Sequence, residues 1–506
     1  MQRQQTLAAE MIVSVPFGGI VLLILYLYDS LVLKPKRLSS NLEMQGIRGP
    51  LLSSNLFRSI LDMKRIKLEE MRNKSKDIPH DWPSIIVPHL LKWRTEYGPN
   101  FTYSIGGIQI LGVKDIETVK EIRLIKSLSF GRPSYLMKDY KPLFGKRIAS
   151  CNGAIWSHQR KIIAPEFYLD KDKRSSESKI ESEGGIAVIT VDEDLRSLAA
   201  DIISKASFGS NYSEGKGKEI FLKLRTLQQS IGKGNIGVPG VRYLPMKRNR
   251  EIRRSEKEIH SMILGDLLQM ILEGAKSCGD ADSILSAGMS HDQFMVDNCK
   301  AIYFAAHETK AIAGTWSLML LVAYPEWQAR ARARAEVHEI CRNGVLDADM
   351  LQDMKTLTTV IKEALRMYRS TMFVSRQALE DIKLKDIVIP KGMNIQIPIP
   401  VLHHPPDIWG PDALDFNPKR FEHGILKAFK FPQNLAMAEL KVTLSLILFK
   451  FSFSLSPAYC HCIDFGVVVE PVLLKLSCIF HEMKPLHELN IHGKEESEET
   501  DFNQSP

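Results

Sequence analysis

A chain of 506 residues with 44% hydrophobic side chains can bury a large core, which excludes a mostly disordered protein. Its formal charge of +8 is a modest excess, and no run of Lys and Arg with interleaved aromatics accompanies it, so nucleic-acid binding is not expected. The seven cysteines (Cys151, Cys278, Cys299, Cys341, Cys460, Cys462 and Cys478) are scattered without CxxC spacing and read as reduced thiols rather than a disulfide framework or a zinc site.

The first predicted element is a membrane-spanning helix at 11–33, almost wholly apolar and longer than the ~20 residues that cross a hydrocarbon core. No small-residue cleavage pattern follows it, so it reads as an anchor rather than a signal peptide. Lys34, Lys36 and Arg37 outweigh the single Arg3 on the other flank. By the positive-inside rule, residues 1–10 are then a short lumenal segment and everything after the anchor is cytosolic. A basic, Gly/Pro-containing hinge is expected at 34–50.

Residues 51–95 read as helical with breaks at Pro79, Pro83 and Pro88, and 100–113 as strands alternating around Gly106-Gly107. A long apolar helix runs from Asp292 to about Leu321, interrupted by His307-Glu308-Thr309-Lys310, which makes it a buried helix and a poor membrane span. Further helices carry Arg330, Arg332 and Arg334 beside Glu336, and then run from Met350 to Tyr368. A short strand pair is expected at 379–400 with its turn at Pro390-Lys391-Gly392, and the acidic end at 481–506 reads as a disordered tail.

Glu363 and Arg366 stand three apart on a helix face, the spacing of an ordinary surface ion pair. Some fifty residues on, after Trp409-Gly410-Pro411-Asp412, a second arginine at Arg420 would complete a Glu-Arg-Arg cluster joined by bidentate bonds. Trp156 and Arg160 are four apart, as in a cation stacked on a ring at a helix surface. Glu308 and Thr309 set an acid beside a hydroxyl inside an apolar helix, where the pair can loosen the backbone ladder and relay protons, or merely cap a helix. Arg376, taken alone, is a solvated strand arginine.

In this order the motifs resemble those of the cytochrome P-450 superfamily. Trp156-Ser157-His158-Gln159-Arg160 is similar to its C-helix WxxxR, Ala305-Ala306-His307-Glu308-Thr309-Lys310 to its I-helix oxygen-activation motif, and Glu363 with Arg366 to its K-helix ExxR. Pro418-Lys419-Arg420-Phe421 is similar to its PERF-like meander. The wording of Trp156 to Tyr168, Gly234 to Pro245 and Trp409 to Phe421 looks like a plant microsomal branch that includes gibberellin-oxidising members.

The resemblance implies a mainly α fold with small β-sheets over 51–480, preceded by one N-terminal transmembrane helix in the endoplasmic reticulum membrane. It also implies a monooxygenase that uses haem, dioxygen and electrons from NADPH, delivered by a flavoprotein reductase, to hydroxylate a hydrophobic small molecule. Trp156, Arg160 and Arg376 would hold the haem propionates, Glu308 and Thr309 would be catalytic in proton delivery, and Glu363, Arg366 and Arg420 would support the proximal side.

Four departures from the family pattern are visible. Ala306 stands where the family has glycine, Lys310 where it has Thr or Ser, and Lys419 where it has an acid. The fourth is larger, because the FxxGxRxCxG loop, whose cysteine thiolate ligates haem iron, is missing as a block. After Phe421 the chain runs from Glu422 to Pro432 and passes at once into Gln433 to Leu440, which resembles the helix that should follow the cysteine. Cys460 and Cys462 lie beyond that helix, and His423 and His307 are the nearest surrogate ligands, each more in keeping with a histidine that binds no metal. No metal ligand is assigned. Helical segments usual in the family also look shortened around 168–184 and 260–268. The alternative reading is therefore a catalytically inactive, membrane-anchored remnant.

Overall fold

The computed structural model describes residues 18–50, 58–72, 80–125, 128–145, 152, 186–208, 217–232, 241–274, 293, 296–297, 299–300, 303–333, 354–422, 435–455, 463–465, 468–471 and 477–482. The first helix, α1 (Gly18–Glu43), is long and apolar enough to cross a membrane. Ile20, Leu22, Leu23, Ile24, Leu25 and Tyr26 are all exposed on it, as expected of side chains that face lipid. Residues 11–17 of the expected anchor lie outside the described residues.

The expected hinge is instead helical over its first part. Pro35 lacks an N–H and its ring crowds the carbonyl one turn back, and the π-helical turn Asp29–Leu33 just before it widens the ladder enough to carry the helix on. Lys34 and Arg37 pair with Asp29 across that turn at 3.7 and 4.0 Å. The chain leaves the helix at Gly46, whose φ of 84° suits a residue without a side chain. Leu42 and Ile47 are buried in a small core with Leu111, Val113 and Ile395, so the end of α1 is docked onto a sheet.

The strands are β1 (Asn100–Ile105), β2 (Ile108–Val113), β3 (Phe130–Gly131), β4 (Ile186–Thr190), β5 (Phe373–Ala378) and β6 (Ile382–Leu384), then β7 (Ile387–Ile389), β8 (Asn394–Pro398), β9 (Phe451–Leu455), β10 (Ile463–Phe465), β11 (Val469–Pro471) and β12 (Ser477–Glu482). Five of them form a sheet in the order β1-β2-β8-β5-β3, in which only β2 and β8 run parallel. The strand pair β6–β7 turns at Lys385-Asp386, and the expected turn at Pro390-Lys391-Gly392 is also present, with the Met393 amide donating to the Pro390 carbonyl at 3.1 Å, but it leads from β7 into β8 rather than closing a strand pair. Lys385 takes up the left-handed φ of 49° that the tight β6–β7 turn needs. Gly392, at φ 89°, leads into β8. A second sheet has the order β4-β12-β9, and β12 runs to Glu482, just inside the expected tail; residues 483–506 lie outside the described residues.

The larger part is helical, in keeping with a mainly α fold. Besides helices at Arg58–Arg72, Pro88–Tyr97 and Ile116–Leu124 and shorter ones, it includes α2 (Val191–Phe208), α3 (Gly217–Gly232), α4 (Lys247–Gly274), α5 (Thr309–Ala323), α6 (Pro325–Ala333), α7 (Lys355–Met367) and α8 (Leu435–Lys450). Helix α5 is apolar all round and buried from Lys310 to Val322, which a helix can be only if neighbours cover every side. It touches α2, α6, α7, α8 and β9. Trp316 on α5 stacks on Tyr368 with ring centroids 4.3 Å apart, and the Trp82 indole donates to the Met367 carbonyl at 2.7 Å, so the end of α7 is fixed against α5 and against the segment before β1. Gln328 on α6 closes the free edge of β9 by giving and taking bonds with the Phe453 backbone, at 3.0 and 3.2 Å.

Candidate active site

Helix α7 presents Glu363 and Arg366 to the interior, where neither is exposed beyond 1%. Arg366 donates from Nε and Nη2 to the two oxygens of Glu363, both at 2.8 Å, in a bidentate pair. Its remaining donors reach the carbonyls of His403 and Ala413 at 2.8 Å, and its guanidinium lies over the Trp409 ring. Burial separates this pair from the exposed one that the spacing alone suggests.

Arg420 enters from the 3₁₀ turn Pro418–Phe421, with Nε 3.4 Å from Glu363 Oε1. The predicted Glu363–Arg366–Arg420 cluster is thus assembled. Sequence reasoning missed its other members. Arg420 Nη1 donates to the Trp409 carbonyl at 2.6 Å and to Asp412 Oδ1 at 2.9 Å, and the Asn417 amide donates to Glu363 at 3.1 Å. The bonds from Arg420 hold the Asp412 carboxyl below its usual range. Nothing periodic in the sequence marks Asp412 or Asn417, since both act through a loop fold.

Directly before α5, the backbone forms a π-helical turn over Tyr303–Glu308, where the sequence sets the acid beside the hydroxyl. Glu308 is 3% exposed and accepts from Arg196 Nε of α2 at 3.3 Å, while Arg196 Nη1 donates to Asp192 at 3.0 Å. His307 Nδ1 lies 3.5 Å from the other Glu308 oxygen, with its ring edge-on to Phe221 at 4.6 Å. Burial lowers the His307 pKa to about 4, so the ring is neutral at pH 7. Lys310, next after Thr309, makes a buried ion pair with Glu439 of α8. Arg196 and Glu439 were not visible as site residues in the sequence, because inter-helix partners carry no spacing signal, and Asp192, at i, i+4 from Arg196 on α2, has the spacing of any surface ion pair.

Arg376 sits half-buried on β5, opposite Ile395 of β8. Its Nη1 donates to the Ser375 carbonyl at 3.1 Å, and no carboxylate stands within ion-pair distance of it among the described residues. Burial without an anion lowers its pKa. Trp156, Arg160 and His423 lie outside the described residues. Cys299 is buried and in no disulfide, and among the described residues no group of three His, Cys, Asp or Glu could hold a metal ion.

These residues fit one edge of a haem but not its iron. A half-buried guanidinium without a carboxylate is what a propionate would complete. On the iron side the whole stretch between Arg420 and Glu439 contains no cysteine, so the thiolate is not supplied there.

The Cytochrome P450 family model matches residues 84–431. Among curated proteins, the chain is 43% identical over 503 residues to cytochrome P450 714C2 of Oryza sativa subsp. japonica, covering 89% of this chain and 94% of that protein. It is 40% identical over 520 residues to cytochrome P450 714B3 of Zea mays, with 94% and 96% covered. To cytochrome P450 714A2 of Arabidopsis thaliana it is 38% identical over 501 residues, with 88% and 94% covered.

Proposed function

The chain belongs to the cytochrome P450 family, and from that premise we propose that its frame serves hydroxylation of a hydrophobic small molecule of the terpenoid class, gibberellin-like in its carboxylated polycyclic skeleton. The observation that carries this reading is the closed Glu363–Arg366–Arg420 cluster, which ties α7 to the meander on the side where the family holds its haem. The family implies haem as cofactor. In this chain Trp156, Arg160 and Arg376 would take the propionates, and Glu308 with Thr309 would form the polar pair on the distal helix. Electrons would come from NADPH through a flavoprotein reductase. One N-terminal apolar helix is compatible with membrane anchoring. The proposed layout is a lumenal 1–10, an anchor at 11–33, a cytosolic P450-like domain over 51–480 and an acidic tail, with the endoplasmic reticulum as the membrane.

A second reading rests on one specific observation, the absence of any cysteine between Arg420 and Glu439. Under it, this chain keeps the frame of a monooxygenase but performs no redox chemistry. The two readings separate when the full chain, in lipid nanodiscs with reductase, NADPH and oxygen, is given a gibberellin-class diterpenoid acid and products one oxygen heavier are sought by mass spectrometry. Product from the chain as it stands supports the enzyme and removes the second reading. Product only after an FxxGxRxCxG loop is inserted between Pro432 and Gln433 supports the substrate class and the second reading together. No product from a haem-loaded, loop-bearing chain overturns the substrate class.

A further inference from the structure

The stretch between Arg420 and Glu439 offers no thiolate, while helices α2, α5 and α8 are tightly joined. Gly314 of α5 is so close to its neighbours that an added Cβ would lie 3.1 Å from Leu195 of α2 and 3.7 Å from Leu440 of α8. The space left between these three helices is about 20 Å³, room for about one water. Two ionic clamps flank Thr309 in the sequence. On its N-terminal side Glu308 is held by Arg196, itself held by Asp192, all with side chains at most 16% exposed. On its C-terminal side Lys310 is held by Glu439, with side chains 8% and 11% exposed. Lys310 is one of the positions at which this chain departs from its family.

We propose that these two clamps are positioning devices that fix the π-helical turn and the start of α5 from α2 and α8, so that this chain folds and persists without haem. The inference rests on the second reading above. An ammonium and a carboxylate buried together must stay paired, because either one left alone would be an uncompensated charge in the core. Both clamps join different helices, so each restrains α5 against a neighbour rather than stiffening α5 itself.

The test uses the full chain in nanodiscs, produced from cultures with and without the haem precursor 5-aminolevulinate. Its readouts are the haem content, the thermal midpoint and the hydrogen exchange of 303–310. The expected result is negligible haem in both preparations, with the same midpoint and equally slow exchange at 303–310. Lys310→Met and Glu439→Gln should each lower the midpoint by several degrees and speed exchange at 303–310, the double variant should lose little more than either single one, and Lys310→Arg should restore both readouts. Haem at near one per chain, together with a higher midpoint and slower exchange in the supplemented preparation, would overturn the proposal. So would fast exchange at 303–310 in the unaltered chain. Substrate turnover by the loop-bearing chain is independent of all these readouts, so failure here leaves the substrate class standing.

Discussion

Glu363→Ala is expected to destabilise the fold by about 3–5 kcal/mol, the range for removing one partner of a buried pair. Glu363 is fully buried, and its two oxygens receive the Arg366 fork, the Arg420 Nε edge and the Asn417 amide. Removing the carboxylate leaves Arg366 charged in the core with only backbone carbonyls as partners, a deficit no rearrangement of water can reach. Arg420 keeps Asp412 at 2.6 Å and suffers less. Glu363→Gln, which retains one acceptor and the volume, should fall between the alanine variant and the unaltered chain. Arg366→Lys should resemble the alanine variant, because a single ammonium cannot serve a carboxylate and two separate carbonyls at once. Urea unfolding followed by tryptophan fluorescence measures the order; an alanine variant within about 1 kcal/mol of the unaltered chain would show that the cluster does not hold the meander.

Stability should fall steeply below pH 6.5. His307, His403 and His404 are each under 8% exposed, and burial is the first cause that lowers each pKa, to about 4 for His307, to about 3 for His404, and well below the usual value for His403. His403 and His404 each set Nδ1 against a backbone carbonyl, of Arg366 and Pro400, which suits a neutral ring donating from that nitrogen. A histidine whose folded pKa is depressed contributes stability above its unfolded pKa of 6.5 and loses it as pH falls toward the folded value. Each proton bound by the unfolded chain alone is worth about 1.4 kcal/mol per pH unit. Each such ring therefore removes up to about 1.4 kcal/mol per pH unit as the pH falls below 6.5, His307 only until its folded pKa of about 4 is approached. His80 and His89, also lowered mainly by burial, act in the same direction. Urea midpoints taken from pH 7.5 to 5 should drop accordingly, and His404→Phe, which removes one of five contributing rings, should flatten the slope by about a fifth. A midpoint independent of pH over that range would contradict the neutral, buried assignment.

Much of the site was legible because its residues lie at fixed spacings or in fixed order. Glu363 and Arg366 declare themselves at i, i+3, and Arg420 follows the turn-rich meander; all three meet as expected. The run around Ala305-Ala306 was legible as a buried helix because it carries apolar residues on all sides, and the acid-hydroxyl pair marked where its ladder loosens. Partners supplied by other helices were not legible. Arg196 and Glu439 face α5 only once α2 and α8 are docked, and neither helix's own periodicity distinguishes them from surface charges. The turn at Pro390-Lys391-Gly392 was legible from its turn chemistry, while the β6–β7 hairpin turn was not, because Lys385 adopts a positive φ without any sequence sign of it. The helical start of the expected hinge escaped because a proline normally reads as a break, and here a π-turn absorbs it.

The missing cysteine is the feature on which the functional account turns, and one spectrum tests it. The full chain in a membrane fraction, reduced with dithionite and exposed to carbon monoxide, is predicted to show no red-shifted Soret band of a thiolate-ligated ferrous haem, whereas the same chain with an FxxGxRxCxG loop inserted between Pro432 and Gln433 shows it. A thiolate band from the unaltered chain would mean that one of its seven cysteines reaches the iron after all, and would contradict the account.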